Sequence, residues 1–363
     1  TLLLGAEGWF QRADLLLWDQ YLQRGDRFSE SDIVLLEVTE NDIRAEGHWP
    51  LSDRRLAEAL RALVAAEVRT IGLDLYRDLP VSPGVELLEN ALASEPRIIA
   101  VKKFGDPELE GIPGPQALEA SGRLGFNDLL PDEVGESIRR TALYMTDAQG
   151  PQTSFAMLLA QHALAAEGIF PGPDPENADW LSLGASPLPP LSSHYGGYRD
   201  LDARGYQIMM DYGAGAFERI SLSELLSGDL PPSTLRDRIV ILGASAKSLR
   251  DELPIPLGGR LAGMSIHAHV VDQLMRMARG LSAPRQALGD WAEGGLVLVV
   301  SLLGALLGVG SAGRSMLGVV SLSGAVLAGL LALLGLGYLA FQAGLWVPVA
   351  PPMVAWLGSA GLL

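Results

Sequence analysis

From Arg314 to the last residue, Leu363, the chain carries no charged side chain beyond that arginine, and a second uncharged stretch of about twenty residues runs from Gly294 to Gly313. A helix rises ~1.5 Å per residue and a hydrocarbon core is ~30 Å thick, so an apolar run of ~20 residues spans a bilayer once. Residues 291–311 and 315–341 therefore read as transmembrane helices. Gly344 and Pro348 interrupt the apolar sequence after residue 341, and 346–363 reads as a third span. With no acid or base at membrane depth, polar residues such as Ser301, Ser321, Ser323 and Tyr338 are too little for an ion- or proton-coupled transporter.

All 43 acidic and all but one of the 27 basic residues precede residue 294. The first 290 residues thus form a charged, soluble region large enough for a full hydrophobic core. A net charge of −16 without a basic cluster argues against nucleic acid as a partner. Cysteine is absent, which removes disulfides, thiolate nucleophiles and Cys-ligated metals. No cofactor or metal site is expected. Arg314, the sole charge between the first two spans, favours a cytoplasmic loop there, with the soluble region on the other side of the membrane. The opening Thr-Leu-Leu-Leu-Gly-Ala is apolar and lacks a charged n-region, so 1–28 reads as the end of a preceding span and an amphipathic linker helix.

Within 29–284 apolar runs alternate with helical patterns, predicting an α/β domain with a mainly parallel sheet. Strands are expected at 33–38, 70–75, 97–101, 141–145, 206–210 and 238–242. Helices are expected at 85–93, 153–166, 222–226 and 265–277, and after Ser52, whose side chain caps a stripe of Leu56, Leu60, Leu63 and Val64. The Pro-rich stretch 168–197 reads as a surface excursion without regular structure.

Several short motifs fall short of the chemistry they suggest. Gly243 to Ser248 follows a strand but lacks P-loop spacing. His267 and His269 stand at i, i+2, where helical side chains diverge, rather than at the i, i+4 of a zinc pair. Asp132-Glu-Val-Gly135 lacks the alternating ligands of a calcium loop. No Gly-x-Ser-x-Gly elbow exists, and no nucleophile–base pair is visible.

Open α/β sheets bind ligands beyond the carboxyl ends of their strands. Collected there are Glu40, Asp74, Tyr76, Arg77, Asp78, Lys102 and Lys103, and Ser245. Arg77 and the lysines suit an anion, whereas the carboxylates suit a cation or polyol. These charges either form a ligand rim or pair with one another.

The stretches Ile33 to Ile43, Gly47-His-Trp-Pro-Leu-Ser-Asp53 and Ile71 to Asp78 resemble, in order and spacing, the type-two CHASE domain. The likeness continues through Gly125-Phe-Asn-Asp128, Asp132 to Arg140, Ile239 to Ala246 with Asp251 and Pro254, and Gly263 to Ala268, covering roughly residues 30 to 280. The resemblance implies an extracytoplasmic sensory domain (29–284) of a bacterial transmembrane receptor, with one span before it and about three after. It also implies a cytoplasmic output domain, a nucleotide cyclase or a kinase, that this chain does not contain. The expected location is the bacterial cell membrane, and the expected partners are an extracytoplasmic ligand or protein, the lipid bilayer and a second copy. The implied motif positions are Glu40, Trp49, Asp74, Arg77, Asp78 and His267, with Tyr76, Lys102 and Asp251 as further ligand candidates and no catalytic residue. Gly304 and Gly308 form a Gly-x-x-x-Gly face suited to close helix packing, across a dimer or against a neighbouring span of the same subunit. The rival reading is a membrane-anchored binding or assembly protein without signalling output.

Overall fold

Six strands pair in one direction only, and this decides where the other elements of their unit go. The computed structural model describes residues 8–28, 30–105, 111–148, 150–311 and 316–361. They fall into two units, one of residues 26–190 and 204–282, the other of 1–25, 191–203 and 283–363. The turn at Ser29, the apolar start 1–6 and the Arg314 loop lie outside the described residues in whole or in part.

In the first unit, β1 (Ile33–Val38), β2 (Thr70–Asp74), β3 (Ile98–Lys102), β4 (Leu124–Phe126), β5 (Glu218–Ser221) and β6 (Ile239–Ala244) form a sheet of order β5-β1-β6-β2-β3-β4. Every neighbouring pair is parallel. Helix α1 (Gln11–Gln23) belongs to the other unit. Each parallel step needs a crossover, and these are supplied by α2 (Glu40–Glu46), α3 (Asp53–Ala65), α4 (Val85–Ser94) and α6 (Leu222–Ser227). Leu56, Leu60 and Leu63 of α3, Leu88 and Leu92 of α4, and Leu222 and Leu225 of α6 meet Val34, Leu36, Ile71, Leu73, Val240 and Leu242 in one core. Each buried leucine contributes about 2 kcal/mol relative to exposure. The opposite face is covered by α5 (Phe155–Ala165) and α7 (Gly263–Ala278). Buried on both faces, β1, β2, β3 and β6 have no polar side to alternate with, which is why they read as mainly apolar runs, whereas the edge strand β5 is largely exposed.

Local signals set the boundaries. Thr39 and Asp42 form a capping box that starts α2, a short helix not expected from the sequence, and Gly47 in the left-handed region ends it. Ser52 accepts the Arg55 N–H at the start of α3, as expected. The stretch 168–197, expected to be irregular, contains a small antiparallel sheet of Pro171–Pro173, Leu181–Leu183 and Ser186–Leu188. Asp132 is buried and accepts from Arg139 Nη1 and Arg140 Nε, each at 3.1 Å.

In the second unit, α8 (Asp290–Ser311) and α9 (Met316–Gln342) are long and apolar enough to cross a membrane. The third expected span is not one of them. Residues 350–361 form a 12-residue helix, α10 (Ala350–Gly361), about 18 Å long at the standard rise, well short of a hydrocarbon core. The sequence between α9 and α10 is instead used by the two-residue strand Leu345–Trp346, which pairs with Gln286–Ala287. Two long apolar helices, not three, are present among the described residues. A Cβ on Gly304 of α8 would collide with Ser359 of α10, so this small-residue position is used for packing within the chain; Gly308 is also buried. Asp14 of α1 caps α10: its Oδ1 accepts the Val349 and Ala350 N–H groups at 2.9 Å each. Pro351 and Pro352, which have no N–H to satisfy, follow directly. Burial pushes the Asp14 carboxyl up to about 7 against the two amides that oppose the shift. Trp18 packs on Phe341 and Trp346 beside this cap, with ring centroids 4.9 and 4.6 Å away.

Gly125 of β4 lies against the start of α5, and a Cβ there would sit 2.5 Å from the backbone N and Cα of Phe155. Backbone cannot yield as a side chain can, so Gly125→Ala is expected to destabilise by about 1–3 kcal/mol in equilibrium denaturant unfolding. Gly172→Ala, with open space around it, is expected to stay within about 0.5 kcal/mol.

Candidate ligand cavity

Parallel pairing brings the carboxyl ends of all six strands to one edge, and a cavity of about 620 Å³ opens there in the sheet unit. This is the size range of small-molecule sites. Its polar wall comes from the segments that leave the strands: Asp74, Tyr76 and Arg77 after β2, Lys103 after β3, and Asn127 and Asp128 after β4. Ala244 at the end of β6 lies at its base. Gly263 and His267 of α7, Asp251, and Trp49 with Pro50 from the α2–α3 connection complete it. Leu75, Leu129, Leu249 and Leu253 give it apolar surface.

A short relay orders the acidic side. The Tyr76 hydroxyl donates to Asn127 Oδ1 at 2.7 Å, and Asn127 Nδ2 donates to Asp74 Oδ1 at 2.9 Å. Asp128 Oδ2 accepts the Phe104 N–H at 2.7 Å. Burial, then the neighbouring Asp128 and Asp74 charges, push the Tyr76 phenol up to about 12. Asp251 keeps contact with solvent, but protein atoms crowd its carboxyl and the Asp74 charge repels it, so it is pushed up to about 6. Burial also raises Asp128. Repulsion among these acids is the signature of a site that favours a positive charge.

Arg77 does not offset it freely. Its Nη2 donates to the Leu51 carbonyl at 2.9 Å, its Nη1 to the Tyr76 carbonyl at 3.0 Å, and its Nε faces Asp53 Oδ1 at 3.6 Å. Burial lowers its pKa despite Asp53. His267 is buried edge-on to Phe155, and burial pushes its pKa below the ordinary imidazole value. Burial thus disfavours the imidazolium, while Asp251 is the carboxyl of this wall pushed up to about 6. His269, two residues on, points elsewhere, between Tyr212 and Phe217.

Of the nine ligand candidates read from the sequence, Trp49, Asp74, Tyr76, Arg77, Asp251 and His267 line the cavity. Glu40, Asp78 and Lys102 do not. Glu40 starts α2 and accepts the Ser248 N–H at 2.7 Å, Asp78 is exposed, and Lys102 donates to Gln152. Lys102 is the last residue of β3 and is held by Gln152, whereas Lys103, in the loop just beyond the strand, lines the cavity. Asn127 and Asp128 were not among the candidates, although the Gly-Phe-Asn-Asp motif after an apolar run carries the same strand-end signal as Asp74. At Gly243 a Cβ would lie 2.8 Å from the Cβ of Met264, so the glycine lets α7 approach β6.

A three-layer α/β module with a charged cavity at the carboxyl edge, followed in sequence by long apolar helices, has the build of a membrane-linked ligand-binding domain. The chain belongs to the CHASE2 domain family, whose profile matches residues 1–306. CHASE2 domains are extracytoplasmic sensory domains typically found in signalling receptors. No curated protein and no solved structure matches the sequence.

Because the folded-state pKa of Asp251 lies above its ordinary 3.8, the folded protein binds this proton more tightly than the unfolded chain. The associated stability is present below pH 3.8 and is lost as pH rises through about 6. Asp251→Asn is expected to remove that loss, so that the melting temperature of the variant gains on the parent across this window and the gap is constant above it, measured by pH-dependent thermal unfolding.

Proposed function

We propose that this chain is the extracytoplasmic sensing and membrane-anchoring part of a transmembrane signalling receptor of the bacterial cell membrane. The observation that carries the reading is the cavity itself: six residues taken from the family resemblance and the strand ends meet around one space of small-molecule size, in a member of a sensory family. The ligand binds there, and α8 and α9 hold the domain in the bilayer. The output, a nucleotide cyclase or a kinase, lies in the cytoplasm on a part of the receptor beyond this chain, and the working unit is a homodimer.

Ligand binding transmits a signal only if the two signalling states bind it with different affinity. Helix α7 is suited to report occupancy, since Gly263 and His267 line the cavity and its C-terminal end leads in sequence toward α8. At that end Arg276 is clamped by Asp272 at 2.6 Å and by Asp211 at 2.8 Å, so the helix is held as a rigid piece.

The test is cavity filling in the intact receptor. Ala244→Phe is expected to leave the receptor in the membrane but to abolish the change of output on stimulation, measured as cyclase or kinase activity in isolated membranes. A normally responsive Ala244→Phe receptor would contradict the reading.

A further inference from the structure

In the second unit Trp291, in the first turn of α8, is 96% exposed, and Trp9, just before α1, is 71% exposed. Polar contacts tie the starts of these two helices to one tier. Gln11 Oε1 accepts the Arg199 N–H at 2.9 Å, and Arg199 Nη2 donates to both carboxylate oxygens of Glu293, in the same turn as Trp291, at 2.8 and 2.7 Å. The end of α9 belongs to this tier as well. Tyr198, next to Arg199, packs on Trp346 with ring centroids 5.9 Å apart, and Trp18 of α1 packs on Trp346 and Phe341.

Helix α1 is fastened to the last turns of α9. The Tyr21 hydroxyl donates to the Leu334 carbonyl at 3.1 Å, the Tyr338 hydroxyl donates to the Arg24 carbonyl at 3.4 Å, and the Tyr21 and Phe341 ring centroids are 5.6 Å apart. The 27 residues of α9 are about 40 Å long, about 10 Å more than a hydrocarbon core. Its last turns therefore reach the headgroup layer, and a helix packed on them lies in that layer too. Around this contact α9 turns Leu331, Leu336 and Leu339 outward, 60%, 64% and 64% exposed. Arg12, Asp19 and Arg24 keep α1 itself out of the hydrocarbon. On the outer face of α1, Ala13 and Leu16 are exposed between Arg12 and Gln20, a mixture that suits the boundary between headgroups and acyl chains. Indoles prefer the same boundary, where the ring is in an apolar medium and the N–H stays wet.

We propose that α1 is a membrane-surface helix, seated in the headgroup layer beside the end of α9, with Leu16 and the indoles of Trp9 and Trp291 inserted into lipid. This rests on the reading of α8 and α9 as membrane spans and adds a lipid-binding surface outside them. Through Gly25, α1 leads in sequence into the sheet unit, so this seat fixes the point at which that segment leaves the bilayer.

The test uses the full chain in vesicles of phosphatidylcholine and phosphatidylglycerol, with a nitroxide on a single introduced cysteine. Collisions of the nitroxide with oxygen, which concentrates in lipid, and with a water-soluble nickel chelate are compared at Ala13→Cys, Leu16→Cys, Leu331→Cys in α9 and Glu89→Cys in α4. Positions 13 and 16 are expected to favour oxygen over nickel several-fold more than position 89 and less than position 331, the order that an interfacial depth gives. Two positions on one face keep the result independent of either substitution. Nickel access at 13 and 16 equal to that at 89, with 331 in lipid, would overturn the seat of α1 and leave the spans standing. Equal nickel access at 331 as well would overturn both. Spin–spin broadening at 13 or 16 that disappears on dilution with unlabelled chain would overturn the lipid assignment by placing a second copy on this face.

Discussion

Parallel strand pairing is the constraint on which the rest of the sheet unit depends. Six strands running one way require crossovers, and the crossovers cover both faces, so neither face is left to bind anything. Only the two edges where strands begin and end remain open to solvent. All strands end together, so loops that are far apart in sequence, after residues 74, 102, 126 and 244, become neighbours. A binding site assembled from such loops can change its chemistry without disturbing the core beneath it.

The two edges of the sheet have opposite electrostatic character. Where the strands begin, arginines and acids satisfy one another in a network at the surface, which screens easily and adds little stability per pair. Where they end, the cavity wall carries Asp74, Asp128 and Asp251 beside Arg77 and Lys103. Burial raises the pKa of Asp128, and burial together with the Asp74 charge raises that of Asp251. A ligand that binds two arrangements of such a wall with different affinity has a lever on the protein's conformational equilibrium.

Much of this fold was legible because its strongest sequence signals are physical necessities. The run Ile33–Val38, apolar but for Glu37, reads as a strand buried on both faces, and Ser52 followed by Leu56, Leu60 and Leu63 specifies a capped helix and its core face. The strand-end rule then located Asp74, Tyr76 and Arg77 at the site. What the rule cannot supply is the direction in which a loop turns: Lys102 and Lys103 are adjacent, yet one holds Gln152 and the other lines the cavity. Glu40 also looks like a rim residue until the capping box of Thr39 and Asp42 places it inside a helix. Composition alone made residues 346–363 a membrane span. Its start is instead drawn into pairing by Leu345–Trp346, and Asp14, more than three hundred residues away in sequence, caps the helix that remains. No local pattern announces contacts of that kind.

The cavity is the proposed stimulus site, and the chain offers a direct way to watch it. These 363 residues contain no cysteine, so Leu129→Cys in the cavity wall and, separately, Glu89→Cys on the exposed face of α4 as a reference each add one thiol to them, read on its own proteolytic peptide. The decisive measurement is the rate of thiol alkylation at each site in membranes bearing the intact receptor, with and without the stimulus that switches its output. Labelling at position 129 is predicted to slow over the same stimulus range in which output changes, while labelling at position 89 stays constant. A change of output with unaltered labelling at both positions would contradict a stimulus site in this cavity.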